Sequence, residues 1–334
     1  MSNPLTDLLE KKGVLLADGA TGTNLFAMGL MSGDAPELWN ADAPEKITAL
    51  HQGFVDAGAD IILTNSFGGT RHRMKLHHAQ DRAFEINKRA AEIARAVADK
   101  AGRPVIVAGS VGPTGELLQP LGALSFEEAV DAFAEQMEGL KAGGADVAWI
   151  ETMSSPDEIR AAAEAAVRVG LPYTFTGSFD TAGKTMMGLH PRDIHGVVDA
   201  AEKPLAVGAN CGVGASDILS SLLDMRASDP DATIIVKGNC GIPEFRGEEI
   251  VYSGTPELMA DYARMAIDAG ARIIGGCCGT SCDHLRAMRE AIDTHVKTDS
   301  PSLDEIVDRI GPFRNKTAND NAASTRERRG RRRA

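Results

Sequence analysis

The sequence lacks any uninterrupted apolar run of about 18 residues, the minimum for a helix that spans a bilayer, so it predicts no transmembrane segment. Its first residues, Met1–Lys12, also lack the basic and then apolar order of a signal peptide. Cysteine is scarce: there are five, and two are adjacent, which does not fit a disulfide framework. These features predict a cytoplasmic protein, because clustered cysteines in a reducing compartment more often serve metal binding or catalysis.

The charge is unevenly distributed along the 334 residues. The formal net charge is −12, but the last 21 residues carry eight Lys or Arg and two Asp or Glu, which leaves −18 on the rest. Such an acidic body argues against nucleic acid as the main partner. We predict one large domain over residues 1–298, followed over 299–334 by a short helix and a disordered basic tail that has no apolar period.

Short apolar runs alternate with alanine-rich segments of helical spacing along the whole chain. Eight strand–helix repeats in about this length predict a (β/α)8 barrel. An open doubly wound sheet is the alternative, but no G-x-G-x-x-G motif follows the first strand. The predicted strands are Val14–Ala17, Asp60–Thr64, Pro104–Ala108, Asp146–Ile150, Pro172–Thr176, Pro204–Ala209, Thr233–Val236 and Arg272–Ile274. The predicted helices are Pro44–Ala57, Asp81–Ala101, Ser125–Ala142, Ser155–Val169, Pro191–Ala201, Ala215–Ala227, Thr255–Ala269 and Ser281–Val296.

Three cysteines follow predicted strands and are flanked by glycines. Cys277 and Cys278 follow the eighth apolar run, and Cys211 follows the sixth. Alternate strands of a barrel contribute to one interior layer, so the three sulfurs are expected to meet. Three thiolates would hold a metal with one position open, as in catalytic zinc sites. Singly, each cysteine also fits a core thiol, the adjacent pair fits a vicinal disulfide, and Cys240 is a competing ligand; the three together favour the metal.

A zinc ion with three thiolates is net anionic and therefore activates water poorly. It suits a thiol substrate better, because a free thiol with a pKa of about 8.5 is only partly ionised at neutral pH, whereas a coordinating thiol is deprotonated outright. The excess negative charge would keep the bound sulfur nucleophilic. The set of Cys211, Cys277 and Cys278 therefore indicates alkyl transfer onto sulfur.

Two carboxylates are expected at the same mouth of the barrel. Asp18 follows the first apolar run and Glu151 the fourth, so an ammonium group on a substrate would pair with them. The loop Gly19–Gly22 offers backbone N–H groups for a carboxylate. The plainer interpretations are a turn-forming residue for Asp18 and a salt-bridge partner for Glu151. Together the groups predict a site for an amino acid whose thiol reaches the metal.

Six segments form a recognisable set: Asp18–Thr23, Thr64–Phe67, Gly112–Gly115, Glu151–Thr152, Gly208–Cys211 and Gly275–Thr280. This set resembles the homocysteine S-methyltransferase family, which includes betaine–homocysteine methyltransferases, S-methylmethionine-dependent enzymes and the homocysteine module of cobalamin-dependent methionine synthase. The resemblance runs from about Leu15 to Ile292. It implies a (β/α)8 barrel, a zinc held by three cysteines, homocysteine as the thiol acceptor and methionine as the product.

By position, the resemblance implies that Cys211, Cys277 and Cys278 are the zinc ligands. Asn239, in an element like the family's Asn-Ala-Gly, would fill the fourth zinc position before substrate arrives. This chain departs from the family there, because its middle residue is Cys240. A spare thiol is thus expected near the metal.

The resemblance also implies the amino acid site. Glu151 and Asp18 would hold the ammonium group of homocysteine. The amides of Ala20 and Thr21, which follow Gly19, would hold its carboxylate.

The methyl donor is the open question. A quaternary ammonium usually binds on aromatic faces, but aromatic residues make up only 4% of this sequence. Trp39 and Phe67 lie in the expected loops, which favours glycine betaine or a similar onium donor. The segments Gly112–Gly115 and Asn239–Pro243 look more like the methionine synthase module, although these 334 residues include no cobalamin domain. The alternative is therefore a homocysteine-binding subunit that uses a methyl-corrinoid protein supplied in trans.

Two other classes are weighed against methyl transfer. A barrel hydrolase or lyase using zinc-bound water would favour histidine and carboxylate ligands, and the cluster of His72, His77 and His78 fits a solvated helical face better. A redox sensor using Cys277 and Cys278 as a dithiol would bind no metal.

Overall fold

The computed structural model describes residues 3–199, 203–241, 243–246 and 249–315. Eight strands run parallel in one sheet: β1 (Leu15–Leu16), β2 (Ile61–Leu63), β3 (Ile106–Val111), β4 (Val147–Met153), β5 (Tyr173–Gly177), β6 (Val207–Cys211), β7 (Ile234–Gly238) and, after an inserted hairpin, β10 (Ile273–Gly276). Their order across the sheet is β1-β10-β7-β6-β5-β4-β3-β2, and a parallel bridge between Ala17 and Ile61 joins β1 to β2. The predicted (β/α)8 barrel is confirmed, with a strand at each predicted apolar run, and the open doubly wound sheet is wrong.

The described chain has twelve α-helices, and most of them pack on the outer surface of the sheet. They are α1 (Pro4–Lys12), α2 (Thr21–Ala27), α3 (Trp39–Asp42), α4 (Pro44–Asp56), α5 (Arg71–Met74), α6 (Ala83–Ala98), α7 (Phe126–Ala142), α8 (Pro156–Val169), α9 (Ala215–Ser228), α10 (Pro256–Asp268), α11 (Cys282–Thr294) and α12 (Leu303–Ile310). Seven of the eight predicted helices are present. Ser125 and Glu128 form a capping box at the start of α7, and Pro156 and Pro256 occupy the first turns of α8 and α10.

The predicted helix Pro191–Ala201 is wrong over its described residues. A 3-10 helix over Pro191–Gly196 takes its place, and residues 200 and 201 of the prediction lie outside the described residues. Gly196 and the two valines after it have low helix propensity, which accounts for the early end of the helical turns.

Helix α1 was not predicted, and it covers the amino-terminal end of the barrel. Its apolar residues Leu5, Leu8 and Leu9 join the core inside the barrel, which includes Trp149 and Ile235. This end is therefore filled by side chains, and the opposite end, where the strands finish, is left for a site.

Two further elements complete the described chain. The antiparallel hairpin of β8 (Pro243–Arg246) and β9 (Glu249–Tyr252) lies between β7 and α10 and was also not predicted. Helix α12 follows the barrel, and the predicted basic tail from residue 316 onward lies outside the described residues. Within the described part of the chain, no helix is long and apolar enough to cross a membrane.

Candidate active site

The structure brings three cysteines together at the carboxyl ends of two strands. Cys211 is the last residue of β6, and Cys277 and Cys278 come directly after β10. Their Sγ atoms all lie within 4.8 Å of one another, and among the described residues they form the only such group of potential metal ligands. The set predicted from the sequence is thus assembled in space.

Unusual backbone conformations aim these sulfurs at one point. Cys211 has a φ of 61°, a left-handed conformation that is costly for a residue other than glycine. On the other side, Gly279 has a φ of 80°, and a Cβ at Gly276 would lie 2.2 Å from a side-chain atom of Thr280. Glycine is therefore required on both sides of the cysteine pair, as the sequence indicated.

Asn239 connects the two cysteine loops. Its side-chain Nδ2 donates to the carbonyl of Gly212 at 2.9 Å, and its Oδ1 accepts from the N–H of Cys278 at 3.1 Å. The predicted role of Asn239 was the fourth zinc position, but here both ends of its amide bind backbone. The amide holds the loop after Cys211 against the loop of Cys278.

The three thiols influence one another because they are close enough to hydrogen-bond. The pKa of Cys278 is lowered, because Cys211 and Cys277 donate to its sulfur. The pKa of Cys211 is raised, because it serves as the donor to both neighbours. These opposite shifts reflect how closely the three sulfurs lie.

The other two cysteines lie outside the cluster. Cys240, the competing ligand of the sequence prediction, is fully buried, and its thiol donates to the carbonyl of Gly254 at 3.3 Å. Burial raises the pKa of Cys240 to about 12. Cys282 begins α11 and packs near Gly53.

Glu151 lies in the wall of the barrel mouth. Its carboxylate accepts from Ser110 Oγ at 2.5 Å and from Asn210 Nδ2 at 3.4 Å. Burial raises the pKa of Glu151 to about 7, and the ammonium of Lys237 opposes this rise. The carboxyl group is therefore ready to change its protonation state when a cation approaches.

Asn210 was not predicted, yet it orders the strand end that carries Glu151. Its Oδ1 accepts from the N–H of Thr152 at 2.8 Å and from Thr176 Oγ1 at 2.6 Å, and its Nδ2 donates to Thr152 Oγ1 at 2.7 Å. Thr152 has a φ of 63°, which coincides with a register irregularity between β4 and β5. The side chain of Asn210 thus stabilises the irregular end of β4 beside Glu151, the residue expected to bind a substrate ammonium.

Asp18 forms a buried ion pair that the sequence reasoning missed. Lys237 Nζ lies 2.7 Å from Asp18 Oδ1, and the N–H of Leu63 donates to Oδ2 at 2.7 Å. Burial alone would lower the pKa of Lys237, but the carboxylates of Asp18 and Glu151 outweigh it and raise that pKa. Asp18 is fully buried, so its oxygens already have partners when a substrate arrives.

Lys237 could have been found from the strand period. It follows Ile235, an inward-facing core residue, by two positions, and side chains two apart on a strand share a face. Gly275 on the neighbouring strand makes room for it, because a Cβ there would lie 3.1 Å from Lys237 Cγ.

A cavity of about 950 Å³ opens above the cysteines. The predicted residues that line it are Gly19, Ala20, Thr21, Phe67, Glu151, Cys211, Cys277 and Cys278. Lining residues that were not predicted include Phe26, Arg73, His77, Lys237 and Tyr252. A second cavity, of about 560 Å³, lies at the opposite end of the barrel beside α1 and contains no cysteine.

Two predicted contacts are altered by the local structure. Trp39 does not line the cavity; it packs against the core, and Lys46 Nζ lies 4.2 Å from the centre of its ring. The N–H of Ala20 donates to the carbonyl of Thr280 at 3.1 Å and is therefore not free for a carboxylate. Thr21, the first residue of α2, remains at the cavity wall.

Comparison with known proteins gives a consistent result. Residues 15–292 match the family model described as homocysteine S-methyltransferase. Two curated relatives are methionine synthases, from Mycobacterium tuberculosis and Mycobacterium leprae. Each is 31% identical over 310 residues, which cover 86% of this chain and 25% of the relative. This chain thus spans about a quarter of the length of the curated relatives it matches.

Solved structures are similar over a larger share of their own length. The metallated form of the homocysteine methyltransferase MmuM from Escherichia coli superposes with a TM-score of 0.72 at 27% identity. The match covers 86% of this chain and 99% of that one. The apo form of the same protein gives a TM-score of 0.67 at 25% identity.

Proposed function

The chain belongs to the homocysteine S-methyltransferase family, as its motifs indicated, and on that premise we propose that it transfers a methyl group from a small onium donor to homocysteine. The product would be methionine, and glycine betaine is the donor we favour. The observation that carries the proposal is the group of three cysteine sulfurs at the wall of a cavity that also presents Glu151.

We propose Zn²⁺ as the metal. The sulfurs of Cys211, Cys277 and Cys278 lie within 4.8 Å of one another, and a tetrahedral ion with Zn–S bonds of about 2.3 Å needs them roughly 3.8 Å apart. That spacing lies within the observed limit, so the residues fit the ion, and soft thiolate ligands suit zinc. When bound, the ion would supply the deprotonated form of a substrate thiol at neutral pH.

The amino acid would be held by groups of the chain itself. Glu151 is the carboxylate of the cavity wall, and we assign it the substrate ammonium. Asp18, the second predicted carboxylate, would act from behind the wall, because Lys237 and the amide of Leu63 occupy its oxygens. The substrate carboxylate would bind at Thr21, since the first turn of a helix leaves its N–H groups without intrahelical partners.

The reaction requires alignment more than acid or base catalysis. The sulfur of homocysteine attacks the methyl carbon in line with the bond to the donor nitrogen. The S–C bond forms as the N–C bond breaks, its electron pair stays on nitrogen, and the donor leaves as a tertiary amine. The thiol proton has already left to solvent on binding. The site contributes by holding both partners in this geometry.

The donor would occupy the outer part of the cavity. Phe26 and Phe67 line the cavity, and the two residues are 52% and 37% exposed. Aromatic faces attract a quaternary ammonium. A volume of about 950 Å³ exceeds what one small amino acid fills, which leaves room for the donor beside it.

A second candidate function is favoured by the curated relatives. Both are methionine synthases several times longer than this chain. In that case the chain would be the homocysteine-binding subunit, and a methyl-corrinoid protein supplied in trans would be the donor.

We further propose a cytoplasmic location. All five cysteines are free thiols, and three of them must stay reduced to bind a metal. A reducing compartment maintains that state.

The deciding experiment measures methionine formation by the purified, zinc-loaded protein with homocysteine and glycine betaine and no corrinoid. We expect turnover, and we expect Phe67→Ala to raise the KM for glycine betaine while the KM for homocysteine stays unchanged. Turnover only with a methyl-corrinoid protein would support the second function. A protein that binds zinc and homocysteine but forms methionine with neither donor would contradict both proposed functions.

Glu151→Gln is expected to raise the KM for homocysteine by about 10- to 100-fold with a smaller effect on kcat, because a charge-assisted hydrogen bond to the ammonium is lost. The pKa of Glu151 is raised to about 7, so its carboxylate forms as the pH rises through that value. The KM of the unmodified protein should therefore increase as the pH falls below about 7.

The measurement is KM for homocysteine across neutral pH in both proteins. Gln cannot ionise, so the variant should lose this part of the pH dependence. An identical pH dependence in the two proteins would assign the titration to another group.

A further inference from the structure

The hairpin β8–β9 brings one side chain to the cysteines of the candidate metal site. The hairpin lies between β7 and α10, at the end of the barrel where the strands finish. Tyr252, the last residue of β9, lines the cavity together with Cys277 and Cys278. Tyr252 thus reaches the candidate metal site from a hairpin that lies between β7 and α10.

The ring of Tyr252 packs directly against the cysteine loop. A Cβ placed on Gly279 would lie 2.4 Å from Tyr252 Cγ and 2.8 Å from Cδ2, closer than any side chain permits. Gly279 follows Cys278, so this contact fixes the ring beside that ligand. Burial and then the nearby sulfur of Cys278 raise the pKa of the Tyr252 hydroxyl, which places that hydroxyl close to the sulfur.

The base of the hairpin is fastened to the same loop. The N–H of Cys240 donates to the carbonyl of Cys278 at 2.9 Å, and the N–H of Gly254 donates to the carbonyl of Cys240 at 3.1 Å. The thiol of Cys240 also donates to the carbonyl of Gly254, so two hydrogen bonds join Cys240 to Gly254. The position of Tyr252 relative to Cys278 is therefore set by backbone contacts as well as by its own ring.

We propose that Tyr252 is a positioning residue for the metal ligand Cys278, to which its O–H donates a hydrogen bond in the metal-bound protein. The inference rests on the proposed function. A donor to an anionic thiolate makes a strong, charge-assisted bond and offsets part of the excess negative charge of a three-thiolate site. Outer partners of this kind orient the ligand, and their loss typically costs 10- to 100-fold in metal affinity.

The test is Tyr252→Phe, which keeps the ring on Gly279 and removes only the hydroxyl. We expect zinc affinity, measured by competition with a chromophoric chelator, to fall 10- to 100-fold. In the cobalt-substituted protein, the thiolate-to-metal charge-transfer bands should move to longer wavelength, because the sulfur lone pairs lose a stabilising donor. Tyr173→Phe makes the same chemical change at the start of β5, at the other end of the barrel, and should change neither value.

The outcomes separate this inference from the proposed function, because neither measurement needs homocysteine or a methyl donor. Unchanged affinity and unchanged cobalt bands in Tyr252→Phe would overturn the inference and leave the function intact. A protein that binds neither zinc nor cobalt would overturn the proposed metal site itself.

Discussion

Cys277→Ala is expected to abolish metal binding and methionine formation together while the barrel still folds. The substitution removes one of three ligands, and the loss should exceed the roughly 100-fold typical of an outer partner of a ligand. Cys277 lies beyond the last residue of β10, in a loop, so its removal leaves the packed core of the barrel intact. The side chain is partly exposed, and alanine fits the space it leaves.

Three measurements check this result: zinc content per chain, the rate of methionine formation, and the thermal unfolding curve. Cys282→Ala is the matched control, because it makes the same change at a cysteine outside the cluster, at the first residue of α11. We expect the control to retain both zinc and activity. A zinc-free Cys277→Ala protein with full activity would end the proposed mechanism.

Lys237→Met is expected to lower the free energy of unfolding by about 3–5 kcal/mol, the usual cost of removing one partner of a buried ion pair. The side chains of Lys237 and Asp18 are 3% and 0% exposed, so water cannot replace the lost ammonium. Asp18 would keep only the amide of Leu63 as a partner. Chemical denaturation of the two proteins measures the difference.

Two further variants distinguish a lost charge partner from lost packing. Adding Asp18→Asn to Lys237→Met removes the unpaired carboxylate and should recover a large part of the stability. Lys12→Met is the matched control, since its partner Asp60 is equally buried but also pairs with Arg289 at 3.0 Å. We expect the control to cost much less, and equal losses in the two lysine variants would contradict the argument.

The fold could be predicted because its signals are local. Each barrel strand is a short apolar run, most of the outer helices are alanine-rich segments, and both patterns act within about twenty residues. The cysteine set could be predicted because the barrel places the ends of β6 and β10 at one rim. The failed helix at Pro191 shows the limit of this reasoning, since helical spacing there is outweighed by weak helix formers.

The partners of the site residues could not be predicted, because they depend on the register between distant strands. Asn210 contacts Thr152 from 58 positions away, and Lys237 contacts Asp18 from 219 positions away. The position of Trp39 fails for a local reason: the sequence places it in the connection after β1 but does not reveal that Lys46 covers its ring.

The amide of Asn239 has a consequence for how the proposed metal would be bound. The side chain of Asn239 ties the loop after Cys211 to the loop of Cys278. The spacing between these two cysteine loops is therefore set by the protein itself, before any ion binds. Small zinc domains, by contrast, fold only when the metal organises them. Removal of the proposed zinc should therefore leave the cysteines in place, and adding zinc back should restore activity without new protein synthesis.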